Sequence, residues 1–375
     1  MPISVTADQE HEARRLVEVR ARAIWAGYFI EVTPATTVAQ LGQIWLASPS
    51  VQRNQQSTIE AYEANVRTIL SPRIGAVPVK SLTPGFLNRF IQQLALEKSS
   101  SYASKARKTL SQMLNVAVQQ GVFEHNPVST VARIRHEERD FLSLEVDQVP
   151  LALALMSQWK GKNPDRRGGV RPNTTLLIDT ALITLGSSSR PGEALAIRRS
   201  DVRFTARGRL QLRIGGTVSH TTKHGNVRKD SPKKARQRRW ITVPTFTAAV
   251  LRRRLAEYVD NDDELLFATK NGTPYAVNHL ELLYRRFREA NDVELRAIGI
   301  DNVHLFTPKV FRKTAASIVE DDANIDLARR FLGHADERTT RNHYLPPEDT
   351  VPEVTAEILA RAFADIGDVD DLRCM

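Results

Sequence analysis

Leu176 to Glu193 reads LLIDTALITLGSSSRPGE, and the chain's organisation follows from this stretch. Leu176 to Leu185 is mostly apolar and carries Asp179. It falls short of the ~18–20 residues a membrane span needs, so it is expected to be a buried helix. The helix is expected to end at Gly186, and Pro191 suits the first position of a new one. Arg190 then stands at a helix start, where exposed backbone amides already favour an anion. A guanidinium there can grip a phosphate through two parallel hydrogen bonds. Glu193, three residues on, shares its face and can orient it. A surface arginine capped by a carboxylate is the plainer reading of the same residues.

Three later segments carry further chemistry. Pro232-Lys233-Lys234-Ala235-Arg236-Gln237-Arg238-Arg239 precedes a β-branched run at Trp240–Val243. One lysine here can act as a mobile cation and proton donor, while most of the run only touches a polyanion. Thr307-Pro308-Lys309-Val310-Phe311-Arg312-Lys313 opens a helix, and its spacing predicts Lys309 and Arg312 on one face. Phe311, Ala315 and Ile318 are expected toward the core. Leu332-Gly333-His334 is followed by Thr339-Thr340 and His343-Tyr344. Gly333 is expected to end a helix and His334 to sit on the outgoing turn.

Working toward the N-terminus, residues 1–35 form an arm with a mixed-charge helix from Glu10 to Tyr28. Residues 36–135 are expected to be a helical domain. Thr36-Thr37 caps a first helix with Leu41, Ile44 and Trp45 inward. Ser57-Thr58 caps a second bearing Ile59, Tyr62, Val66 and Ile69, and Ser71-Pro72 stops it. Thr83-Pro84 opens a third with Phe86, Phe90 and Leu94. The fourth, Ser101 to Gln120, turns Ala103, Ala106, Leu110, Met113, Leu114 and Ala117 inward. Residues 136–145 are a linker, 146–347 a larger domain, and 348–375 an acidic tail helix. In the larger domain, strands at Leu210–Ile214 and Trp240–Val243 form one small sheet among helices.

Net charge is +10 with an isoelectric point near 9.8, a balance that suits a polyanionic partner. The charge is local. Thr222–Trp240 carries eight Lys or Arg against one acid, while residues 345–375 carry eight acids against two bases. Residues 34–135 hold eleven Lys or Arg against four acids. Cys374 is the sole cysteine, which excludes an intramolecular disulfide framework and a cysteine metal cluster. The chain lacks a secretory signal pattern, and a cytoplasmic, nucleoid-associated location is the expectation.

Taken together, the four segments resemble the catalytic domain of tyrosine recombinases, the phage integrase family, in the correct chain order. Arg190 and Glu193 match its first arginine and nearby glutamate. Lys233 matches its hairpin lysine, although Lys234 stands where threonine is common. Lys309-Val-Phe-Arg312 matches its His-x-x-Arg box, and Leu332-Gly333-His334 with Tyr344 matches its ending. Leu266-Phe267 and Gly272-Thr-Pro274 resemble the run between. Residues 36–135 are similar to its helical core-binding domain, so the likeness spans about residues 36–345. The His343-Tyr344 ending looks most like integrases of actinobacterial phages and mobile elements. Lys309 departs from the family's histidine; it keeps a cation but is a poor neutral base near pH 7.

The resemblance implies a mainly α chain with a small β-sheet: a core-binding domain and a larger α+β catalytic domain forming a DNA clamp. It implies a site-specific recombinase that cuts and rejoins DNA through a 3′-phosphotyrosine, with Tyr344 as nucleophile. Arg190, Arg312, Lys309 and His334 would stabilise the phosphate, and Lys233 would protonate the leaving oxygen. No metal or cofactor is expected. Lys105, Arg107, Lys108, Lys234, Arg236, Arg238, Arg239 and Lys313 are expected against DNA. The implied partners are duplex recombination sites, a homo-tetramer on DNA, and accessory bending or directionality factors. Val354, Ile358, Leu359 and Phe363 form a tail stripe that packs on its own subunit or a neighbour. A type IB topoisomerase-like enzyme and a catalytically inactive DNA-binding remnant remain alternatives.

Overall fold

The computed structural model describes residues 10–25, 32–134, 142–161, 172–230, 238–323, 325–333, 350–351 and 353–364. The chain divides into two compact units, residues 1–139 and 140–375. None of the described helices is long and apolar enough to cross a membrane.

In the first unit, the helices Val38–Ala47, Gln56–Asn65, Pro84–Glu97 and Ser100–Gln119 enclose one apolar core. Their starts are set by local chemistry. Thr37 and Gln40 form a reciprocal capping box, with Thr37 Oγ1 accepting from Gln40 N–H at 3.3 Å and Gln40 Oε1 from Thr37 N–H at 2.9 Å. Thr83 and Ser99 cap the third and fourth helices, each accepting at 3.2 Å. Ala103, Ala106, Leu110, Met113, Leu114 and Ala117 are all fully buried.

Three local expectations are corrected. The second helix starts at Gln56, so Ser57 and Thr58 lie inside it and cap nothing. Pro72 does not stop that helix. A widened turn at Val66–Leu70 precedes it, and the chain stays helical to Ile74. Such a turn removes the hydrogen bond that proline cannot donate. In the third helix, Leu87, Ile91 and Leu94 are fully buried, while Phe86 and Phe90 are half-buried. The inward stripe is thus rotated by one residue at its start.

At the centre of the second unit lies the helix Thr174–Ser187, buried at every position from Leu176 to Ser187. Gly186 does not terminate it. A Cβ there would fall 2.0 Å from Thr247 Oγ1, so the missing side chain serves the close approach of the helix Thr245–Ala256. Asp179 is fully buried and bonded by Arg253 at 2.5 Å and Arg254 at 2.6 Å.

Six strands are found among the described residues of this unit: β1 (Val202–Phe204), β2 (Leu210–Ile214), β3 (Thr217–Thr221), β4 (Gly225–Lys229), β5 (Arg239–Thr242) and β6 (Thr350–Val351). They make two sheets rather than the expected one. The first has order β1-β2-β5-β6, antiparallel except for the parallel β5–β6 pair; the second is the β3–β4 hairpin. The hairpin escaped the sequence reading because its residues are mostly polar and carry no apolar alternation.

The tail packs on its own subunit. β6 pairs with Trp240 and Ile241, and the helix Val354–Ala362 buries Thr355, Ala356, Ile358 and Leu359. Phe363 meets Phe246 edge-on at 5.9 Å. Val354, expected in the stripe, is 43% exposed because it begins the helix and faces out.

Candidate active site

Ser188 follows the central helix in a left-handed conformation, φ 48° and ψ 31°. That turn delivers Arg190 as N-cap of the short helix Pro191–Ala194. Glu193 Oε2 accepts from the Arg190 backbone N–H at 2.8 Å, and Oε1 accepts from the guanidinium at 2.9 Å. The Glu193 side chain is 3% exposed, whereas that of Arg190 is 38% exposed. A buried carboxylate therefore aims a cation that still reaches solvent.

Arg312 comes from the helix Val310–Asp322 and is buried. Its guanidinium donates to the Ser188 carbonyl and, at 2.9 Å, to the Leu332 carbonyl. It thereby ties the turn before Arg190 to the end of the helix Ile325–Leu332. Gly333 follows with φ 64°, a conformation open to glycine.

A third arginine joins them. β5 alternates, and Arg239 shares its inward face with Ile241. Arg239 donates to the same Ser188 carbonyl at 3.4 Å. Burial is the main cause pushing Arg312 down to about 9, helped by the charges of Arg190 and Arg239 and opposed by Glu193. Burial likewise pushes Arg239 down to about 10, with Glu193 opposing and Arg190 adding. Among the described residues, these three guanidiniums face one carboxylate, Glu193, and the low dielectric around buried Arg239 and Arg312 strengthens attraction to an added anion.

The remaining expected residues divide by place. Lys309 is exposed and is the N-cap of its helix, one position ahead of the regular spiral. It differs in exposure from Arg312, which is buried. It lines a cavity of about 460 Å³ with Pro191, Asn278, Glu281 and Arg285. Lys313 is half-buried, and Lys105 and Lys108 are exposed. Arg107 is half-buried and donates to the carbonyls of Val128 and Val131 at 3.4 Å, so it braces its own unit. Arg238 is exposed and donates to the Asp230 carbonyl at 2.8 Å. Lys233, Lys234, Arg236, His334 and Tyr344 lie outside the described residues.

Arg239 was grouped with outward DNA contacts, and the structure instead buries it beside Arg312. Two-residue alternation with Ile241 was the signal available for its inward orientation. Nothing local signalled the shared Ser188 carbonyl, because that meeting joins distant segments.

The phage integrase family profile matches residues 172–350, and the phage integrase central domain matches residues 38–133. No curated protein matches the chain significantly. Among solved structures, it is similar to the Tn1549 transposon integrase in complex with a circular intermediate DNA. Identity there is 16% and the TM-score 0.66, covering 80% of this chain and 92% of that one. The same integrase with transposon right end DNA gives 17%, 0.65, 88% and 99%. A lambda integrase tetramer bound to a Holliday junction gives 16%, 0.52, 89% and 90%. At these identities the structural likeness speaks for the fold, and the matched profiles speak for descent. The chain belongs to the phage integrase family, and is a DNA-binding, site-specific recombinase of the tyrosine type.

Proposed function

We propose that this recombinase integrates or excises a phage or mobile element by cutting and rejoining duplex DNA through a 3′-phosphotyrosine at Tyr344. The observation that carries the reading is the convergence of Arg190, Arg312 and Glu193 on the Ser188 turn. Arg190 and Arg312 are assigned to the non-bridging oxygens of the scissile phosphate. Their charge offsets what builds up as the phosphorus becomes five-coordinate. The Tyr344 oxygen forms the new bond to phosphorus as its proton passes to solvent water. The bond from phosphorus to the 5′-oxygen breaks, and Lys233 supplies the proton that oxygen needs. Lys309 and His334 add donors to the phosphate.

A 5′-hydroxyl from another strand then attacks the phosphotyrosine and gives its proton to Lys233; the phosphorus–Tyr344 bond breaks, the phenolate takes a proton from solvent, and the phosphodiester is reformed. The covalent link conserves the bond energy, so ATP is not required. Strand exchange needs two duplexes held together, and we assign this to a homo-tetramer. The lambda integrase tetramer on a Holliday junction supports that assignment. Residues 36–135 are assigned as the core-binding domain and 146–347 as the catalytic domain. Lys105 and Lys108 are assigned to phosphate contacts, which position the protein and read no sequence.

A nicked suicide duplex carrying the recombination core tests the reading. The wild type should accumulate an SDS-resistant protein–DNA adduct, and Tyr344→Phe should form none. A wild-type protein that binds the duplex but forms no adduct would overturn it.

A further inference from the structure

The reaction above has no assigned work for Arg239, although this residue is embedded in the same cluster. Only 5% of it is exposed, too little for an ordinary groove contact with DNA. One side of its guanidinium meets the Ser188 carbonyl at 3.4 Å, the acceptor that Arg312 also uses. The other side lies against Gly333. A Cβ at Gly333 would fall 2.5 Å from Arg239 Nη1 and 3.1 Å from Cζ. Leu332, the residue before, supplies the second acceptor for Arg312. Arg239 and Arg312 therefore engage the same two backbone turns. One turn leads in two residues to Arg190, and the other leads directly into His334.

A buried cation is an expensive way to fill the inward face of a strand, since an aliphatic side chain would need no compensating charge. Its planar fork, however, can touch two turns at once, which a lysine ammonium or an aliphatic chain cannot do. We propose that Arg239 is a positioning residue: it spaces the Ser188 turn from the Leu332-Gly333 turn and so aligns Arg190 and Arg312 on one phosphate. Burial holds its pKa near 10, so the charge is retained at neutral pH, and Glu193 favours that charge. Arg239 acts through the backbone and through Arg312, without touching DNA.

The inference rests on the recombinase reading, and the experiment separates the two. Full-length wild type, Arg239→Gln, Arg239→Lys and Gly333→Ala are compared on the suicide duplex. Single-turnover adduct rates at saturating protein are measured alongside the Kd for the same DNA. Arg239→Gln should slow the adduct step roughly 100-fold, the scale of an ångström-sized misplacement. Its Kd should stay within about threefold of wild type, because uniform binding is untouched. Arg239→Lys should recover part of the rate. Gly333→Ala should slow the step too, and should add little on the Arg239→Gln background, because both changes break one contact.

A wild-type rate in Arg239→Gln overturns the proposal, as does lost affinity with an intact rate, which would make Arg239 a DNA contact. Fully additive effects of the two substitutions overturn it as well. Should Arg239→Gln not fold, Arg239→Lys decides: a slowed rate at unchanged Kd supports the proposal, and a wild-type rate refutes it. Absence of any wild-type adduct would instead count against the recombinase reading.

Discussion

The two units bury different things. Among the described residues, the buried polar side chain of the N-terminal unit is Thr109, which accepts from Asn65 at 3.2 Å. The rest of that core is aliphatic and aromatic. The C-terminal unit buries Asp179, Glu193, Asp201, Arg239 and Arg312. Hydrophobic burial is non-directional and holds a scaffold together. Buried charge costs stability unless paired, and it has value where an incoming ligand completes the pairing. Within the C-terminal unit the same contrast recurs. Asp179 is answered by Arg253 and Arg254. Around Glu193, among the described residues, Arg190, Arg239 and Arg312 meet one carboxylate. The first group is a paired structural cluster, and the second is the one we assign to an anion.

The largest effect should come from the group assigned to an anion. Arg312→Gln should slow adduct formation by about 10²–10³-fold, the usual loss for one transition-state donor. Single-turnover kinetics on the suicide duplex check this. A loss under tenfold would mean that the cluster is merely structural.

Next comes the paired group. Asp179→Ala removes the buried carboxylate shared by Arg253 and Arg254, leaving Arg253 its pair with Glu257 and Arg254 its contact with the Phe267 ring, and should cost about 3 kcal/mol. Hydrogen exchange should report it as lost protection in the helices Thr174–Ser187 and Thr245–Ala256. Leu110→Ala is the apolar counterpart in the N-terminal unit and should cost about 2–5 kcal/mol through a cavity. That loss should be the same at pH 6 and pH 9. If it varied with pH instead, the division into apolar and charged cores would fail.

A smaller effect follows from Arg312, whose folded pKa is pushed down to about 9, well below the ordinary guanidinium value that the unfolded chain keeps. Between these values the unfolded chain binds more protons, so stability rises with pH. The penalty of burying the charge is thus complete at pH 7 and begins to lift above pH 9. Relative to Arg312→Met, the wild type should gain about 1 kcal/mol between pH 7 and pH 10. Denaturant titrations of both proteins measure it, and a gain in the opposite direction would deny that Arg312 is buried as a cation.

Smallest is the surface term. Replacing Lys105 and Lys108 by alanine should weaken DNA binding a fewfold and reduce the salt slope by about one per lost phosphate contact. Fluorescence anisotropy across salt concentrations would show this. An unchanged slope would remove that helix face from the DNA interface.

Much of the first unit was legible because its signals are local. A cap acts over three residues, and an inward stripe repeats every three or four. Thr37, Thr83 and the Ala103–Ala117 stripe could therefore be read directly. The errors fell where tertiary contact overrides the local rule. Gly186 stays within its helix, where its missing Cβ leaves room for Thr247, and Phe86 yields the core to Leu87.

For the site, chain order and residue type were enough to nominate Arg190, Glu193, Arg312, His334 and Tyr344. Residue chemistry is carried in the sequence itself, and the phage integrase pattern is a pattern of such residues. What only the fold decided is which charges share a carbonyl. Arg312 reaches Ser188 across 124 positions of chain, and Arg239 does so across 51. Strand alternation allowed Arg239 an inward face, but a sequence-local signal spans a few residues and cannot say what waits there. Packing of the central helix against the Val310–Asp322 helix, with Arg239 reaching Ser188 at its end, settled that, because dense interiors leave few places for a buried guanidinium to find acceptors.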